Sequence, residues 1–255
     1  MAIKKLLRST LEKYLSKKGY SLVSTKEVYP FFMTKEFIDI YNECKAYTTC
    51  NMYKLYSIYE SLQYIIKNNL EGALVETGVR KGGVCMFIAY LLKKWKKERN
   101  IYLYDTFEGM SEPTDKDIDW RGRATLLEYN QKKKSGIKWA YFPIEEVRAN
   151  MLMTGYDERK IIFVKGKVED TIPKTMPDKI AMLRLDTDWH ESTKHTLIYL
   201  YPRLVIGGAL LVDDWGQLLG CHEAVEGYFK DKNILLSLAY GGGKVGIKMS
   251  DEYNT

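Results

Sequence analysis

The amino-acid sequence predicts an α/β fold in which helices cover a mostly parallel sheet. After residue 72, short apolar runs of strand length alternate with longer amphipathic segments of helical period. Strands that are separated by helices pair in parallel, because each helix carries the chain back across the sheet. Hydrophobic residues make up 45% of the 255 residues and charged residues 28%, as in globular proteins. This composition excludes a disordered, collagen-like or disulfide-stapled chain.

The part of the chain before the alternating pattern is predicted to be helical. Residues 1–20 are rich in lysine and are predicted to form a short basic helix. Between residues 21 and 70, apolar side chains recur at a spacing of three and four residues, which is typical of helices. We therefore predict an N-terminal helical extension at residues 1–70 and an α/β domain at residues 71–255.

The α/β domain is predicted to alternate regularly except in one long segment. The predicted strands are residues 73–77, 101–105, 161–164, 180–186 and 209–213, and the predicted helices are residues 81–95, 144–153, 191–201 and 221–230. Residues 107–142 are polar and aromatic and are predicted to be irregular, forming a cap over a ligand site together with the extension. Residues 234–238 and 245–249 flank three glycines, which predicts a terminal hairpin.

The sequence predicts neither a membrane-spanning segment nor a secretory signal. No apolar run approaches the roughly 18–20 residues that cross a bilayer, and the basic start is not followed by a long apolar core. The four cysteines form no CxxC pair, so we expect free thiols in a reducing, cytoplasmic compartment. The lysine clusters behind the net charge of +6 are interpreted as solvated helix surfaces, and no nucleic-acid partner is expected.

The end of the first predicted strand carries a glycine-rich motif. Its pattern E-x-G-x-x-x-G begins at Glu76 and differs from the dinucleotide motif G-x-G-x-x-G, because Arg80 stands at the second glycine position. The acidic residue would repel a pyrophosphate but would accept a hydrogen bond from an ammonium group. The motif therefore favours S-adenosylmethionine, and a turn without any ligand is the alternative.

The second predicted strand ends at Asp105. An acidic side chain at such a strand end can accept hydrogen bonds from both hydroxyls of a ribose. A helix N-cap would explain Asp105 alone. The joint occurrence of Asp105 and the glycine-rich motif favours a nucleoside-bearing ligand.

Two pairs of aspartates end the fourth and fifth predicted strands, namely Asp186 with Asp188 and Asp213 with Asp214. Neighbouring parallel strands end at the same edge of the sheet, so these four carboxylates are expected to lie together and to repel one another. A bound hard cation relieves that repulsion, and oxygen ligands favour Mg²⁺. Helix capping explains one aspartate per strand end but not two. His190 is interpreted as a proton shuttle, a substrate contact or a structural neighbour of the site.

In their order and spacing, these motifs resemble the macrocin O-methyltransferase family, whose members methylate sugars in macrolide and aminocoumarin biosynthesis. The matching segments are 47–49, 75–83, 104–109, 166–173, 184–188, 191–193, 201–204, 207–208, 212–214, 220–221 and 224–225. The resemblance implies a class I, Rossmann-like methyltransferase fold with a seven-stranded sheet and a reversed last strand. It also implies an O-methyltransferase that depends on S-adenosylmethionine and a divalent metal, usually Mg²⁺, and that acts on a sugar hydroxyl, such as one of a vicinal diol.

The resemblance also implies roles for individual residues. The implied cofactor contacts are Thr48, Thr49, Glu76, Thr77, Gly78, Asp105, Thr106, Gly166 and Asp186. The implied metal ligands are Asp186, Asp213 and Asp214, and Asp188 is the implied general base, so that Asp186 and Asp188 form the catalytic pair. Assembly into homo-oligomers through the N-terminal helices is also implied.

Departures from the family pattern fall beside the implied acceptor pocket. Trp189, His190 and Trp215 stand where the family commonly has other residues, so we expect them to contact the acceptor and leave its identity open. A catechol-like diol would satisfy the same metal. A metal-dependent phosphohydrolase would use the aspartates without the cofactor motifs, and a nucleic-acid module would use the basic N-terminal helix.

Overall fold

A computed structural model describes residues 10, 11, 13–20, 28–230, 236–238 and 242–250. The chain divides into two compact units at residues 34 and 35. In the first unit, residues 13–17 are helical, and most of the first half of the predicted basic helix lies outside the described residues. Residues 35–70, which were predicted to belong to the extension, lie in the same compact unit as the sheet.

The second unit alternates strands and helices in the predicted order. The helices are α1 (Lys35–Cys44), α2 (Met52–Lys67), α3 (Gly83–Lys94), α4 (Thr125–Lys134), α5 (Ile144–Met153), α6 (Val168–Thr171), α7 (His190–Leu200) and α8 (Leu219–Phe229). The strands are β1 (Ala73–Thr77), β2 (Ile101–Asp105), β3 (Ile161–Lys165), β4 (Ile180–Leu185), β5 (Leu204–Val212), β6 (Leu236–Leu238) and β7 (Lys244–Ile247). The prediction that residues 107–142 are irregular was wrong for α4. Within the described part of the chain, no helix has both the length and the apolar character to cross a bilayer.

The strands form one seven-stranded sheet in the order β3-β2-β1-β4-β5-β7-β6. Strands β1 to β5 pair in parallel, whereas β7 runs antiparallel to both β5 and β6. The predicted sheet with a reversed last strand and a terminal hairpin is therefore confirmed. The strand order changes direction between β1 and β4, and open sheets of this kind bind ligands at the carboxyl ends next to that point.

The neighbouring strands β1 and β4 are buried along their whole length, as expected for parallel strands that are covered on both faces. Helix α2 packs against β4 and β5, α3 against β2, and α7 against β4. Most of the side chains in these strands are apolar. Glu76 and Thr77 in β1 and Arg184 in β4 are buried polar residues within this apolar sheet, and they lie next to its carboxyl edge.

Helix α1 is fixed to the rest of the unit by an aromatic cluster. The ring of Phe37 is fully buried and lies 5.6 Å from the ring of Tyr59 in α2 and 5.7 Å from that of Phe87 in α3. Such ring pairs stabilise a fold beyond the area that they bury. The cluster therefore makes α1 part of the folded core rather than a detachable arm.

Replacing the centre of this cluster should strongly destabilise the unit. We expect Phe37→Ala to lower the free energy of unfolding by about 3–5 kcal/mol, because it removes a fully buried ring and leaves a cavity. Leu152→Ala is the control, since Leu152 is 49% exposed and should change stability by less than about 0.5 kcal/mol. Urea unfolding curves measure both, and equal midpoints would contradict a core role for α1.

Candidate active site

A cavity of about 510 Å³ opens at the carboxyl edge of the sheet. Residues at or just after the ends of β1, β2, β3, β4 and β5 line it, together with the start of α2 and the segment before it. The lining includes Thr49, Cys50, Lys54, Gly78, Arg80, Asp105, Thr106, Gly166, Asp186, Asp188, Asp213 and Asp214. The cavity therefore collects the strand-end motifs that the sequence placed at one edge, as parallel pairing requires.

The glycine-rich loop after β1 passes very close to the end of β4. Gly78 has a φ of 82°, and a β-carbon at this position would lie 1.9 Å from the backbone oxygen of Asp186. The backbone N–H of Gly78 donates to the carbonyl of Tyr104 at 2.7 Å. Glycine is required here because no other residue fits both the dihedral angle and the close approach.

The carboxylate of Asp105 organises the same loop from the end of β2. One of its oxygens accepts hydrogen bonds from the backbone N–H groups of Val79 at 2.8 Å and Arg80 at 3.0 Å, and the other accepts from Phe107 at 2.8 Å. Asp105 is partly exposed and lines the cavity. The aspartate thus fixes the loop, and its contact with a ribose stays a prediction.

A buried guanidinium connects three strand ends. Arg184 donates to Glu76, to Asp186 at 2.8 Å and to Asp213 at 2.6 Å, and its side chain is 3% exposed. Glu76 is equally buried, also accepts from the thiol of Cys85 at 2.9 Å, and lies outside the lining of the cavity. Glu76 therefore acts on the cavity through Arg184, and its direct contact with the cofactor stays a prediction.

Both carboxylate oxygens of Asp213 are paired with cations. The first accepts from Arg184, and the second accepts from the ammonium group of Lys54 in α2 at 2.6 Å. Burial acts to raise the pKa of Asp213, but the two positive charges outweigh it and hold the pKa below its ordinary value. Asp213 is therefore an ionised member of a buried ion network.

The other three strand-end aspartates form a compact cluster. Oxygen atoms of Asp186, Asp188 and Asp214 lie within 4.8 Å of one another. Burial raises the pKa of Asp188 to about 7 and the pKa values of Asp186 and Asp214 well above their ordinary values. The negative charges of neighbouring carboxylates raise all three pKa values further, whereas a hydrogen bond with Asp214 acts to lower that of Asp188. Among the described residues, Oδ2 of Asp214 is a buried side-chain oxygen without a hydrogen-bond partner.

These observations fit a bound divalent cation. An all-oxygen donor set is what Mg²⁺ prefers, and a cation would give the orphaned oxygen of Asp214 a partner and favour the ionised carboxylates. The predicted ligands Asp186 and Asp214 are brought together. The predicted ligand Asp213 faces Lys54 and Arg184 instead, and Asp188 completes the cluster in its place.

Asp188 has an unusual backbone conformation. Its φ is 64°, in the left-handed region that aspartate adopts much less readily than glycine. Residues are held in this region only where the surroundings impose it, and they concentrate at functional sites. Here the conformation keeps the carboxyl group of Asp188 beside Asp186 and Asp214.

The remaining predicted site residues occupy different surroundings. Thr49 and Gly166 line the cavity, whereas Thr48 accepts from the N–H of Cys50 at 2.9 Å and Thr77 is fully buried. Thr106 lines the cavity and donates to the carbonyl of Gly109 at 2.6 Å. These contacts leave the predicted cofactor roles as predictions.

The three residues that were predicted to contact the acceptor also lie in different surroundings. Trp189 is 5% exposed, donates to the carbonyl of Ser111 at 3.0 Å and lies along a second cavity beside Asp188. His190 is held by Asp117 and Glu191, and Trp215 donates to Glu226 at 2.8 Å. His190 and Trp215 line neither cavity.

Sequence reasoning missed the two cations of the site, although each leaves a signal. Arg184 interrupts an otherwise apolar strand, and a charge in such a position is buried only when it is paired. Lys54 lies on the same face of α2 as the buried residues Ile58 and Ile65. A lysine on the buried stripe of a helix indicates an acidic partner in the core.

Comparison with known proteins adds independent information. The family model described as macrocin-O-methyltransferase (TylF) matches residues 36–240. The chain belongs to the macrocin O-methyltransferase family. It is 31% identical to the demethyldecarbamoylnovobiocin O-methyltransferase of Streptomyces niveus. The 184 aligned residues cover 72% of this chain and 68% of that protein. It is 29% identical to the mycinamicin III 3''-O-methyltransferase of Micromonospora griseorubida, over 72% of this chain and 70% of the other.

Solved structures agree with this assignment. The structure of the O-methyltransferase NovP matches with a TM-score of 0.71 and 27% identity, and the match covers 96% of this chain and 99% of that one. The calicheamicin methyltransferase CalS11 matches in fold, with a TM-score of 0.55 at 17% identity over 88% of this chain and 99% of its own. This macrocin O-methyltransferase family member is thus an S-adenosylmethionine-dependent O-methyltransferase of class I fold, and the predicted family and fold are confirmed.

The close approach of Gly78 to the backbone of Asp186 can be tested by substitution. We expect Gly78→Ala to weaken S-adenosylmethionine binding at least about tenfold, and to lower stability, because the new methyl group displaces the end of β4. Calorimetric titration and urea unfolding measure the two effects.

Gly227→Ala is the matched control. Gly227 lies in α8, where a β-carbon would meet no atom within 4 Å. Removing this helical glycine should stabilise the protein by about 0.5–1 kcal/mol and leave cofactor affinity unchanged. Equal behaviour of the two variants would refute the packing argument.

Proposed function

We propose that this chain transfers the methyl group of S-adenosylmethionine to a sugar hydroxyl of a glycoside or other natural product, with the help of Mg²⁺ or a similar hard divalent cation. The observation that carries the proposal is the cluster of Asp186, Asp188 and Asp214, with one orphaned oxygen, beside a cavity lined by Gly78 and Asp105. The names of the relatives from Streptomyces niveus and Micromonospora griseorubida support the acceptor class.

The loop after β1 and the end of β2 are suited to the cofactor. Gly78 has no side chain, so its backbone lines the cavity directly. The carboxylate of Asp105 accepts from the N–H groups of Val79 and Arg80 and remains partly exposed. Oδ2 of Asp105 already accepts from two N–H groups, so a ribose hydroxyl would donate to Oδ1, which accepts from the N–H of Phe107 and has a second lone pair. The cofactor itself supplies the reactive methyl group, and the protein supplies its alignment.

Asp186 and Asp214 would hold the metal, and Asp188 beside them would stay available for a proton. A cation bound there would lower the pKa of an acceptor hydroxyl and could orient two neighbouring hydroxyls, as in a vicinal diol. Asp213 can join the ligand set only by giving up Lys54 or Arg184, which now hold its two oxygens. Asp213 is thus paired with protein cations through both oxygens and Asp186 with Arg184 through Oδ2, whereas no salt bridge among the described residues involves Asp188 or Asp214.

Asp188 would serve as the general base. Its carboxylate accepts the hydroxyl proton while the acceptor oxygen bonds to the methyl carbon and the bond between that carbon and the sulfonium sulfur breaks. A cation held by the neighbouring Asp186 and Asp214 would favour the ionised form of Asp188, which is the form that can accept a proton. The imposed backbone conformation of Asp188 keeps the carboxyl group in place for this step. Self-association and a cytoplasmic location stay predictions.

Metal removal tests the proposal directly. We expect EDTA to abolish methyl transfer to glycosides with free vicinal hydroxyls, and excess Mg²⁺ to restore it. Calorimetric titration with Mg²⁺, without cofactor or acceptor, should show one site that Asp214→Asn weakens, because this change replaces a charged ligand oxygen with a neutral amide. Full turnover in EDTA would contradict the proposal, and preferential methylation of catechol in the same assay would move the acceptor to an aromatic diol.

The base is tested by Asp188→Asn. We expect kcat to fall by about 10²–10⁴-fold, the range for general bases, with little change in cofactor affinity. Asp115→Asn is the control, since Asp115 is an exposed aspartate that lines neither cavity. An unchanged kcat in Asp188→Asn would remove the assigned role.

A further inference from the structure

Asp188 lies in a tight turn between strand β4 and helix α7. The backbone N–H of Asp186 donates to the carbonyl of Thr77 at 2.9 Å, so the start of the turn is fixed to β1. The N–H of Trp189 donates to the carbonyl of Thr187 at 2.7 Å, which closes the turn around Asp188. A left-handed aspartate costs free energy and persists only where the surroundings impose it. The contacts that hold the far end of the turn, where α7 begins, therefore bear on the position of the proposed base.

The far end of the turn is held by a buried carboxylate from a distant part of the chain. Asp117 is 1% exposed, and its Oδ1 accepts from the backbone N–H of His190, the first residue of α7, at 2.8 Å. Its Oδ2 accepts from the backbone N–H and the hydroxyl of Thr114 at 2.7 Å and 3.0 Å. A carboxylate is buried at an acceptable cost only where hydrogen bonds satisfy it. These three bonds therefore fix the carboxylate at the start of α7.

Helix α7 has no N-cap side chain of its own. Trp189 occupies the N-cap position and makes no capping hydrogen bond with its side chain, although the first N–H groups of a helix need acceptors. Asp117 supplies an acceptor from 73 residues earlier, and its negative charge suits the positive end of the helix dipole. A local cap would only satisfy the helix. A cap from another segment also fixes where the helix begins relative to that segment.

Two further contacts hold the residues that follow the proposed base. The indole N–H of Trp189 donates to the carbonyl of Ser111 at 3.0 Å. The ammonium group of Lys116 lies 3.0 Å from the carboxylate of Glu191, but both side chains are about half exposed, so this ion pair contributes little. Of the three contacts, that of Asp117 is the one that is both buried and charged.

The carboxylate of Asp117 fits closely between the starts of α7 and α8. A β-carbon at Gly220, in the first turn of α8, would lie 2.4 Å from Oδ1 of Asp117 and 3.1 Å from Cβ of His190. The carboxylate therefore has no room to move towards α8. Gly220 thus offers a way to displace Asp117 without changing its charge.

We propose that Asp117 is a positioning residue that holds Asp188 beside Asp186 and Asp214 by fixing the start of α7. Its effect on the reaction rests on the proposed function, in which Asp188 is the general base. Asp117 lines neither cavity and acts through His190. Its loss should therefore slow methyl transfer without weakening the binding of the cofactor.

Kinetics and calorimetry test this separation. We expect Asp117→Ala to lower kcat at least about tenfold, because a displacement of about 1 Å can cost about a hundredfold in rate. The affinity for S-adenosylmethionine should change by less than about twofold.

Thr154→Ala is the matched control for lost stability. Thr154 is also 1% exposed, donates to the carbonyl of Met151 at 2.7 Å, accepts from the N–H of Tyr156 at 3.1 Å and lines neither cavity. Its loss should destabilise the fold and leave kcat unchanged. Equal kcat values in Asp117→Ala and Thr154→Ala would contradict the proposal.

Gly220→Ala displaces the carboxylate of Asp117 without removing it, so it tests the proposal even if Asp117→Ala does not fold. We expect the same selective fall in kcat. Gly227→Ala is the control in the same helix, because a β-carbon there meets no atom within 4 Å, and it should keep the kcat of the unmodified protein. Equal kcat values in the two glycine variants would count against a role for Asp117.

The backbone conformation of Asp188 is a readout that needs no turnover. In protein with ¹³C-labelled aspartate, the Cα and Cβ chemical shifts of Asp188 distinguish a left-handed from a right-handed backbone, and the signals missing from Asp188→Asn assign them. We expect Asp117→Ala and Gly220→Ala to change these shifts and the two controls to keep them.

These outcomes separate the two proposals. If the shifts of Asp188 stay the same in Asp117→Ala and Gly220→Ala, the positioning role fails, even where glycosides are methylated. If the shifts change but kcat does not, or if the unmodified protein methylates no glycoside, Asp117 still positions Asp188 and the proposed reaction fails.

Discussion

One buried guanidinium group underlies the active site. Arg184 contacts carboxylates from the ends of three neighbouring strands: Glu76 of β1, Asp186 after β4 and Asp213 after β5. Taking these charges out of water is costly, and the cost is recovered only when every partner is present and well placed. The network therefore ties the positions of the three strand ends to one another. Since the glycine-rich loop follows Glu76 and the acid cluster begins at Asp186, Arg184 holds these two parts of the site in one geometry.

The sequence predicts the fold well where apolar runs have sharp limits. Strands Ala73–Thr77 and Ile101–Asp105 have their predicted bounds, because each apolar run stops at glycine or at a polar residue. Strand Leu204–Val212 begins five residues earlier than predicted, since the glycines at 207 and 208 interrupt the apolar pattern without interrupting the strand. Helix α4 escaped prediction because Thr125 is its one buried residue, so its sequence has almost no amphipathic period.

The candidate site, like the fold, could be predicted from the sequence only in part. The sequence could place the strand-end acids together, because the carboxyl ends of neighbouring parallel strands lie at one edge of the sheet regardless of side-chain packing. Their partners could not be predicted. Whether Asp213 faces a metal or a protein cation depends on where the packing of α2 on β5 brings Lys54, and periodicity carries no information about such long-range packing. The left-handed backbone of Asp188 is equally hidden, since most aspartates do not adopt a positive φ and nothing in the local pattern marks this one.

The ion pair between Lys54 and Asp213 joins positions that are 159 residues apart in the chain. A nascent polypeptide leaving the ribosome exposes the lysine long before the aspartate has been synthesised. Until β5 emerges, packing α2 against the growing sheet would bury a positive charge with no counter-ion, which is strongly unfavourable. The active site can therefore be completed only after β5 and Asp213 have been synthesised.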